Sequence, residues 1–349
     1  MGLTQSQKTI VARARSLSSG GQAVALSDEA CAYLVGVIVR DLDLQTHFPE
    51  IPGTLPELFS PGPLSRLEFV GVPFLEMFER LVGLDANSDV YFESLAALHK
   101  ARLKYERILE TQAVPTLDQV GPRGLLQYGG MAPKMLAGFL LWRKWVFDID
   151  NRAGQETGYL FEPIVAAAIG GVPASARKSP IRRRKDGSKG RQVDCLRENR
   201  AYEIKIRMTI AASGQGRWGE ELDFPEDCRQ SGYVPVLVVL DPTPSSKLNE
   251  LRAAFLNAGG DVHIGQDAWA HLGQLAGPTM ARFLEKYVHS PLQSLLDEEP
   301  TQLPDLLLAM REKRLIVRVG EEEFSTIRAP QASDDEGTLP DDLGRTAGP

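Results

Sequence analysis

The sequence predicts an α/β fold: a mixed central sheet flanked by helices, preceded by a mainly helical N-terminal part. Three observations predict it. Helical spacing of apolar residues dominates to about residue 170. Short runs with strand-like alternation then interleave with helical segments. Among them lies the continuous apolar run Val234 to Leu240, the pattern of a strand buried on both faces. The 349 residues are 43% apolar and 24% charged, enough to build a sizeable core.

In chain order, Ser27-Asp28-Glu29 supplies an N-cap and first-turn acids for a helix to Val39. A Pro/Gly-rich connection follows from Phe48 to Pro63, and the apolar stretch Leu64 to Leu84 contains Pro73, which starts or breaks a helix. Asn87-Ser88-Asp89 caps a long helix to about Gln112. Two helices are expected next, Pro133 to about Asp148 and Glu156 to Ile169, the second stopped by Gly170-Gly171. Val193-Asp194-Cys195 then begins a strand that turns through Arg197 to Arg200 into Ala201 to Met208. Asp186-Gly187 is a hairpin signal, so residues 178 to 184 are expected to pair with the Asp194 strand. Helices at about 217 to 230, 246 to 257 and 267 to 287 alternate with the buried strand and a short one at Asp261 to Ile264.

No apolar run approaches the roughly 20 residues of a membrane-spanning helix, and the first residues lack a signal-peptide core, so a cytoplasmic, prokaryotic setting is expected. Cys31, Cys195 and Cys228 lie far apart, and the five histidines form no ligand pattern, which argues against disulfides and structural zinc. The net charge of -7 conceals an uneven distribution. Residues 177 to 191 hold eight Lys/Arg against one Asp, and residues 321 to 349 hold eight acids against two arginines. Phosphates respond to the patch that faces them, within a Debye length of about 8 to 10 Å, so net charge does not exclude a nucleic-acid partner.

Chemistry concentrates at Asp194, Glu203 and Lys205. Phosphodiester hydrolysis needs oxygen ligands for a hard cation, an activated water and positive charge against the developing phosphorane. In a strand, Glu-x-Lys puts Glu203 and Lys205 on one face, about 6 to 7 Å apart along the chain. If the two strands pair, Asp194 lies beside them, and Asp194, Glu203 and the Ile204 carbonyl are candidate ligands of one Mg²⁺. Taken alone, Glu-x-Lys is usually a solvated charge pair. The Asp194 strand, the preceding acidic helix, the buried strand after it and the adjacent basic run all favour the site.

Val193-Asp194, eight further residues, then Glu203-Ile204-Lys205 resembles the PD-(D/E)xK nuclease core, with Val193 in place of the motif's proline. An acid on a preceding helix often completes that metal site; Glu162 in Tyr159 to Val165 is the candidate, with Glu156 its competitor. The stretch Thr209 to Trp218, with Leu240 to Pro244, is similar to the ApaLI-like group of type II restriction endonucleases over roughly residues 130 to 290. The resemblance implies a restriction-endonuclease-like core that cuts double-stranded DNA at a short palindrome, as a homodimer beside a protecting DNA methyltransferase. Pattern and composition divide the chain into a mainly helical region 1–128, an expected nuclease core 129–324 and an acidic tail 325–349 expected to lack fixed structure. Lys178, Arg182, Arg183, Arg184, Lys185 and Lys189 are candidate DNA contacts, as are Gln215 and Arg217, although charge runs are commonly solvated loops and Gly-rich turns commonly only turns. Trp142 and Trp145 read as packing residues. A repair or recombination nuclease with the same core, and a non-catalytic DNA-binding protein, are the rival readings.

Overall fold

A computed structural model describes residues 2–17, 23–206, 215–241, 243–298 and 301–329, with the side chains of 215–217 outside the description. Thr4 and Gln7 close a capping box at the start of α1 (Gln5–Arg15). Ser27 caps α2 (Asp28–Asp41) as predicted, its hydroxyl accepting from the Ala30 N–H at 3.0 Å. Pro73 starts a helix: α3 (Phe74–Leu84) begins at the next residue. After α4 (Ser88–Thr111), α5 (Leu117–Val120) and a 3-10 stretch over Gly121–Gln127 comes α6 (Pro133–Ala168), a single helix of 36 residues where the sequence predicts two. Residues 149 to 155 contain no proline, and Gly154 costs about 1 kcal/mol in a helix interior, too little to end a helix packed on both sides of it.

Gly170 takes a left-handed φ of 72° as the C-terminal cap, and Gly171 leads into β1 (Val172–Ala174). A Cβ on Gly171 would stand 2.2 Å from Cys195 Sγ, so glycine is required for the close approach. The strands β2 (Arg182–Arg183) and β3 (Asp186–Gly190) form a separate two-stranded hairpin, and β4 (Val193–Arg197) pairs with β1, not with residues 178 to 184. The expected pairing fails because β1 already occupies that edge of β4, and because the hairpin turns at Arg184-Lys185, ahead of the Asp-Gly signal.

Then come β5 (Arg200–Lys205), α7 (Gln215–Gln230), β6 (Val234–Val239), α8 (Ser246–Asn257) and β7 (Asp261–Ile264). The helix α9 (Gln266–Leu284) is kinked at Gly277-Pro278 and runs through a π-helical turn, Glu285–His289, into α10 (Ser290–Asp297). Three further strands, β8 (Leu306–Arg311), β9 (Arg314–Val319) and β10 (Glu322–Ile327), form an antiparallel meander absent from the sequence prediction.

The chain divides into two compact units, residues 1–103 with 154–299 and residues 104–153 with 300–349. The first holds the five-stranded sheet in order β1-β4-β5-β6-β7, antiparallel as far as β5 and parallel through β6 to β7, which is the mixed sheet predicted. Cys195, Tyr202, Ile204, Val236 and Val238 face one side and pack with α2, α3 and the end of α6; Ala201, Leu237 and Val239 face the other and pack with Phe224, Leu251 and Phe255 of α7 and α8. α2 is apolar nearly all round and fully buried at Tyr33, Leu34, Val37 and Ile38. The buried carboxylate of Asp41 closing that helix is satisfied by the hydroxyls of Tyr91 (2.9 Å) and Tyr287 (2.5 Å) and by Lys286 (2.6 Å). In the second unit, Leu315 of the meander packs with Ile108, Trp145 and Ile149, and Trp142 meets Trp145 edge to face at 5.6 Å.

Candidate active site

β4 and β5 are joined by a tight turn in which Glu198 adopts a left-handed φ of 55°. The ladder Arg197↔Arg200, Leu196↔Ala201, Cys195↔Tyr202, continued by one step, sets Asp194 opposite Glu203. There a side chain replaces the ladder: Asp194 Oδ2 accepts the Ile204 N–H at 2.8 Å. In an extended strand the carbonyl of a residue leaves on the same edge as its N–H, so the Ile204 oxygen also faces the Asp194 edge. The next carbonyl, that of Lys205, accepts the Leu240 N–H at 2.9 Å on the opposite, β6 edge, as the alternation along a strand requires.

Glu203 and Lys205 share a face, and Lys205 Nζ donates to Glu203 Oε1 at 2.8 Å. On its other side Lys205 stands 3.6 Å from Glu221 of α7. Glu162, one residue before Pro163 in α6, is the helix acid whose charge reaches this cluster. A Cβ on Gly158, one turn earlier, would lie 3.3 Å from Glu162 Oε1, so the glycine leaves room for the carboxylate. The groups perturb one another as crowded buried charges must. Burial and then Glu203 push the Glu162 carboxyl up to about 7, with Lys205 opposing. Burial, Glu203 and Glu162 hold Asp194 well above the usual carboxylate range, against the stabilising Ile204 N–H. Burial pulls Lys205 down, but Glu203 and Glu221 outweigh it and the net direction is up.

The donor set is all oxygen: two facing carboxylates, a third from the helix and a main-chain carbonyl. That chemistry fits a hard divalent cation, and mutual repulsion among the acids is what a cation relieves. Among the described residues no three His, Cys, Asp or Glu side chains stand at metal-binding spacing, and Glu203 is engaged by Lys205.

The family model for ApaLI-like restriction endonucleases matches residues 73–289, a span that includes Glu162, Asp194, Glu203 and Lys205. The chain belongs to that family. It is also 52% identical over 227 residues to the type II restriction enzyme ApaLI of Acetobacter pasteurianus, an alignment covering 63% of this chain and 60% of that one. The chain thus matches about 60% of the length of that curated relative. No solved structure matches. The family match begins within the N-terminal helices, at the start of α3, and so extends well before the residue 130 at which the sequence resemblance begins.

In this ApaLI-like chain the basic run ahead of Asp194 is strapped to α7. Arg183 pairs with Glu220 at 2.7 Å, Arg184 and Lys185 both bind Asp223, and Arg191 reaches Asp227 at 3.0 Å. The Arg184 N–H donates to Asp227 at 2.9 Å. Lys189 pairs within the hairpin with Asp186 at 3.0 Å, and Lys178 and Arg182 are exposed. The side chains of Gln215 and Arg217 lie outside the described residues, as does the segment 207–214 that carries part of the resemblance. Glu221 is the site neighbour that sequence reading missed. Glu220-Glu221 is visible in the sequence, but which face of α7 meets β5 is a packing outcome.

Proposed function

We propose that the chain is a type II restriction endonuclease that makes Mg²⁺-dependent double-strand cuts at a short palindrome, leaving 5'-phosphate and 3'-hydroxyl ends. The observation that carries this reading is the convergence of Asp194, Glu203, Glu162 and Lys205 where β4 and β5 stop pairing, in a chain of the ApaLI-like family. The similarity to the type II restriction enzyme of Acetobacter pasteurianus supports it.

In this reading Asp194, Glu203 and the Ile204 carbonyl hold the cation, with Glu162 as the further carboxylate. When bound, the metal lowers the pKa of a water and neutralises charge on the phosphate. Asp194 is oriented for this by the Ile204 N–H, which uses one carboxylate oxygen and leaves the other free. Lys205, whose ammonium form Glu203 and Glu221 favour, positions or deprotonates the attacking water and offsets charge on the phosphorane. The water oxygen bonds to phosphorus, the bond from phosphorus to the 3'-oxygen breaks, and that oxygen takes a proton while the water gives one up. Cation-bearing side chains of the hairpin and of residues 178 to 189 contact backbone phosphates. We further assign the protein to the prokaryotic cytoplasm, paired with a DNA methyltransferase that protects host sites. Among the described residues no helix is long and apolar enough to cross a membrane.

The test is incubation of the purified protein with unmethylated phage DNA, with Mg²⁺ or with EDTA. Discrete fragments that need Mg²⁺ are expected; a smear points to a repair-type or non-specific nuclease, and intact DNA in every lane sinks the proposal.

A further inference from the structure

The second unit carries an exposed face that mixes arginines with large apolar side chains. Two sides of the first half of α6 are filled: Leu136 and Leu140 pack with Val120, and Trp145 and Ile149 pack with Ile108 and Leu315. Between those sides, residues 135, 139, 143 and 146 recur at helical spacing. Met135 is 66% exposed and Phe139 44%, with Phe147 beside them at 59%. Arg143 lies over the Phe139 ring at 5.6 Å. It also lines a cavity of about 260 Å³ with Arg123, Lys144, Val120, Leu140 and Phe147. Lys144 is paired with Asp148, but Arg123 and Arg143 are exposed and have no carboxylate partner among the described residues. Asp150, the other acid of this half of α6, acts on the Tyr105 hydroxyl. A partner that covers this face must therefore bring its own anions as well as apolar side chains.

We propose that the acidic segment 330–349 of the same chain docks in cis on this face. Three observations select that occupant. The first is place: the Ala329 N–H donates to the Glu110 carbonyl at 3.1 Å and Arg328 lies over the Trp145 ring at 5.9 Å, so the segment departs beside α6. From Trp145 back to Met135 the helix rises about 15 Å, whereas the chain from Ala329 to Leu343 can span up to about 48 Å. The second is charge: Asp334, Asp335, Glu336, Asp341 and Asp342 stand in the segment against Arg345 alone. The third is apolar content. Leu339 and Leu343 lie among those acids and offer Phe139 and Phe147 the apolar contact that a phosphate backbone lacks. Exposed ion pairs are individually weak, but tethering holds the segment at an effective concentration on the order of millimolar, which weak contacts can exploit. Docked there, the segment denies Arg123 and Arg143 to other polyanions. The contact is independent of the nuclease reading.

The test is hydrogen exchange on the full chain, read by mass spectrometry over residues 331–343 and 121–147. In the wild type at low salt, the amides of 331–343 are expected to exchange roughly tenfold slower than in a synthetic peptide of 330–349, and about 0.5 M salt should remove the difference. Arg123→Glu combined with Arg143→Glu brings the segment to the peptide rate, and adding Asp334→Lys and Asp335→Lys to that pair restores the protection. Arg318→Glu, at an exposed arginine of β9, leaves it unchanged. Should the arginine variants misfold by circular dichroism, Asp334→Asn with Asp335→Asn and Glu336→Gln must give the same loss without altering the described fold. Wild-type exchange of 331–343 at the peptide rate, or protection that survives both arginine substitutions, overturns the proposal. Protection that falls on dilution overturns it in favour of a second copy. Protection of 121–147 that appears only when a short duplex DNA is added overturns it in favour of phosphates.

Discussion

Asp194 does two things with one carboxylate. One oxygen takes over an N–H where the ladder ends, and the charge of the group lies beside those of Glu203 and Glu162. Asp194→Asn keeps the hydrogen bond and removes the charge. It is expected to lower cleavage by roughly a thousandfold or more while DNA binding in a gel shift stays within about twofold, because binding rests on Lys/Arg contacts to phosphates. Cleavage at the wild-type rate by that variant would refute the site. His99 carries a different prediction, about stability. Its ring is buried with Nδ1 unpartnered, and burial, followed by the charge of Arg102, lowers its pKa to about 4. The unfolded chain binds that proton near pH 6.5 and the folded chain does not. Its contribution is therefore fully present above 6.5 and is lost as pH falls toward 4, by about 3 kcal/mol in all. Denaturant titrations at several pH values should show a shallower acid loss for His99→Leu than for the wild type.

At the scale of elements, the pairing of the basic hairpin with α7 decides how the positive charge ahead of Asp194 is used. Arg183, Arg184 and Lys185 are legible in the sequence as a phosphate-binding run, yet the fold sets Glu220 and Asp223 against them. Exposed ion pairs contribute about 0 to 1 kcal/mol each, so phosphates can displace these carboxylates at little cost. Asp223→Asn frees two cations and is expected to tighten non-specific DNA binding and to steepen the logarithmic salt dependence by about one to two. An unchanged salt slope would mean that the hairpin does not touch DNA. α6 teaches a related lesson. Gly154 and Pro163 are local reasons to expect breaks, and neither ends the helix, because its neighbours on both sides of Gly154 hold it.

For the whole molecule, the proposed metal site would couple folding to its ligand. Three carboxylates and one ammonium in a half-buried cluster repel one another more than they are offset, and a divalent cation that binds only the folded state must stabilise it. Thermal melts are expected to shift upward by several degrees with millimolar Mg²⁺, and Asp194→Asn, which removes a ligand charge, should abolish most of that shift. A melt indifferent to Mg²⁺ in the wild type would argue that the cluster is not a cation site. The two compact units are a tertiary outcome too: each joins segments far apart in sequence, so no boundary between them is visible as a linker.

The sequence by itself determined the mixed α/β sheet, the Ser27 cap of α2 and the pairing that sets Asp194 against Glu203. These follow from local signals, namely period, turn residues and capping side chains, which act within about ten residues. Tertiary structure decided that β1 pairs with β4, that Glu221 reaches Lys205, that α7 neutralises the hairpin and that residues 306 to 327 form a meander. Each of these depends on which surfaces meet across long sequence separations, and packing chooses among partners that local propensity leaves equal.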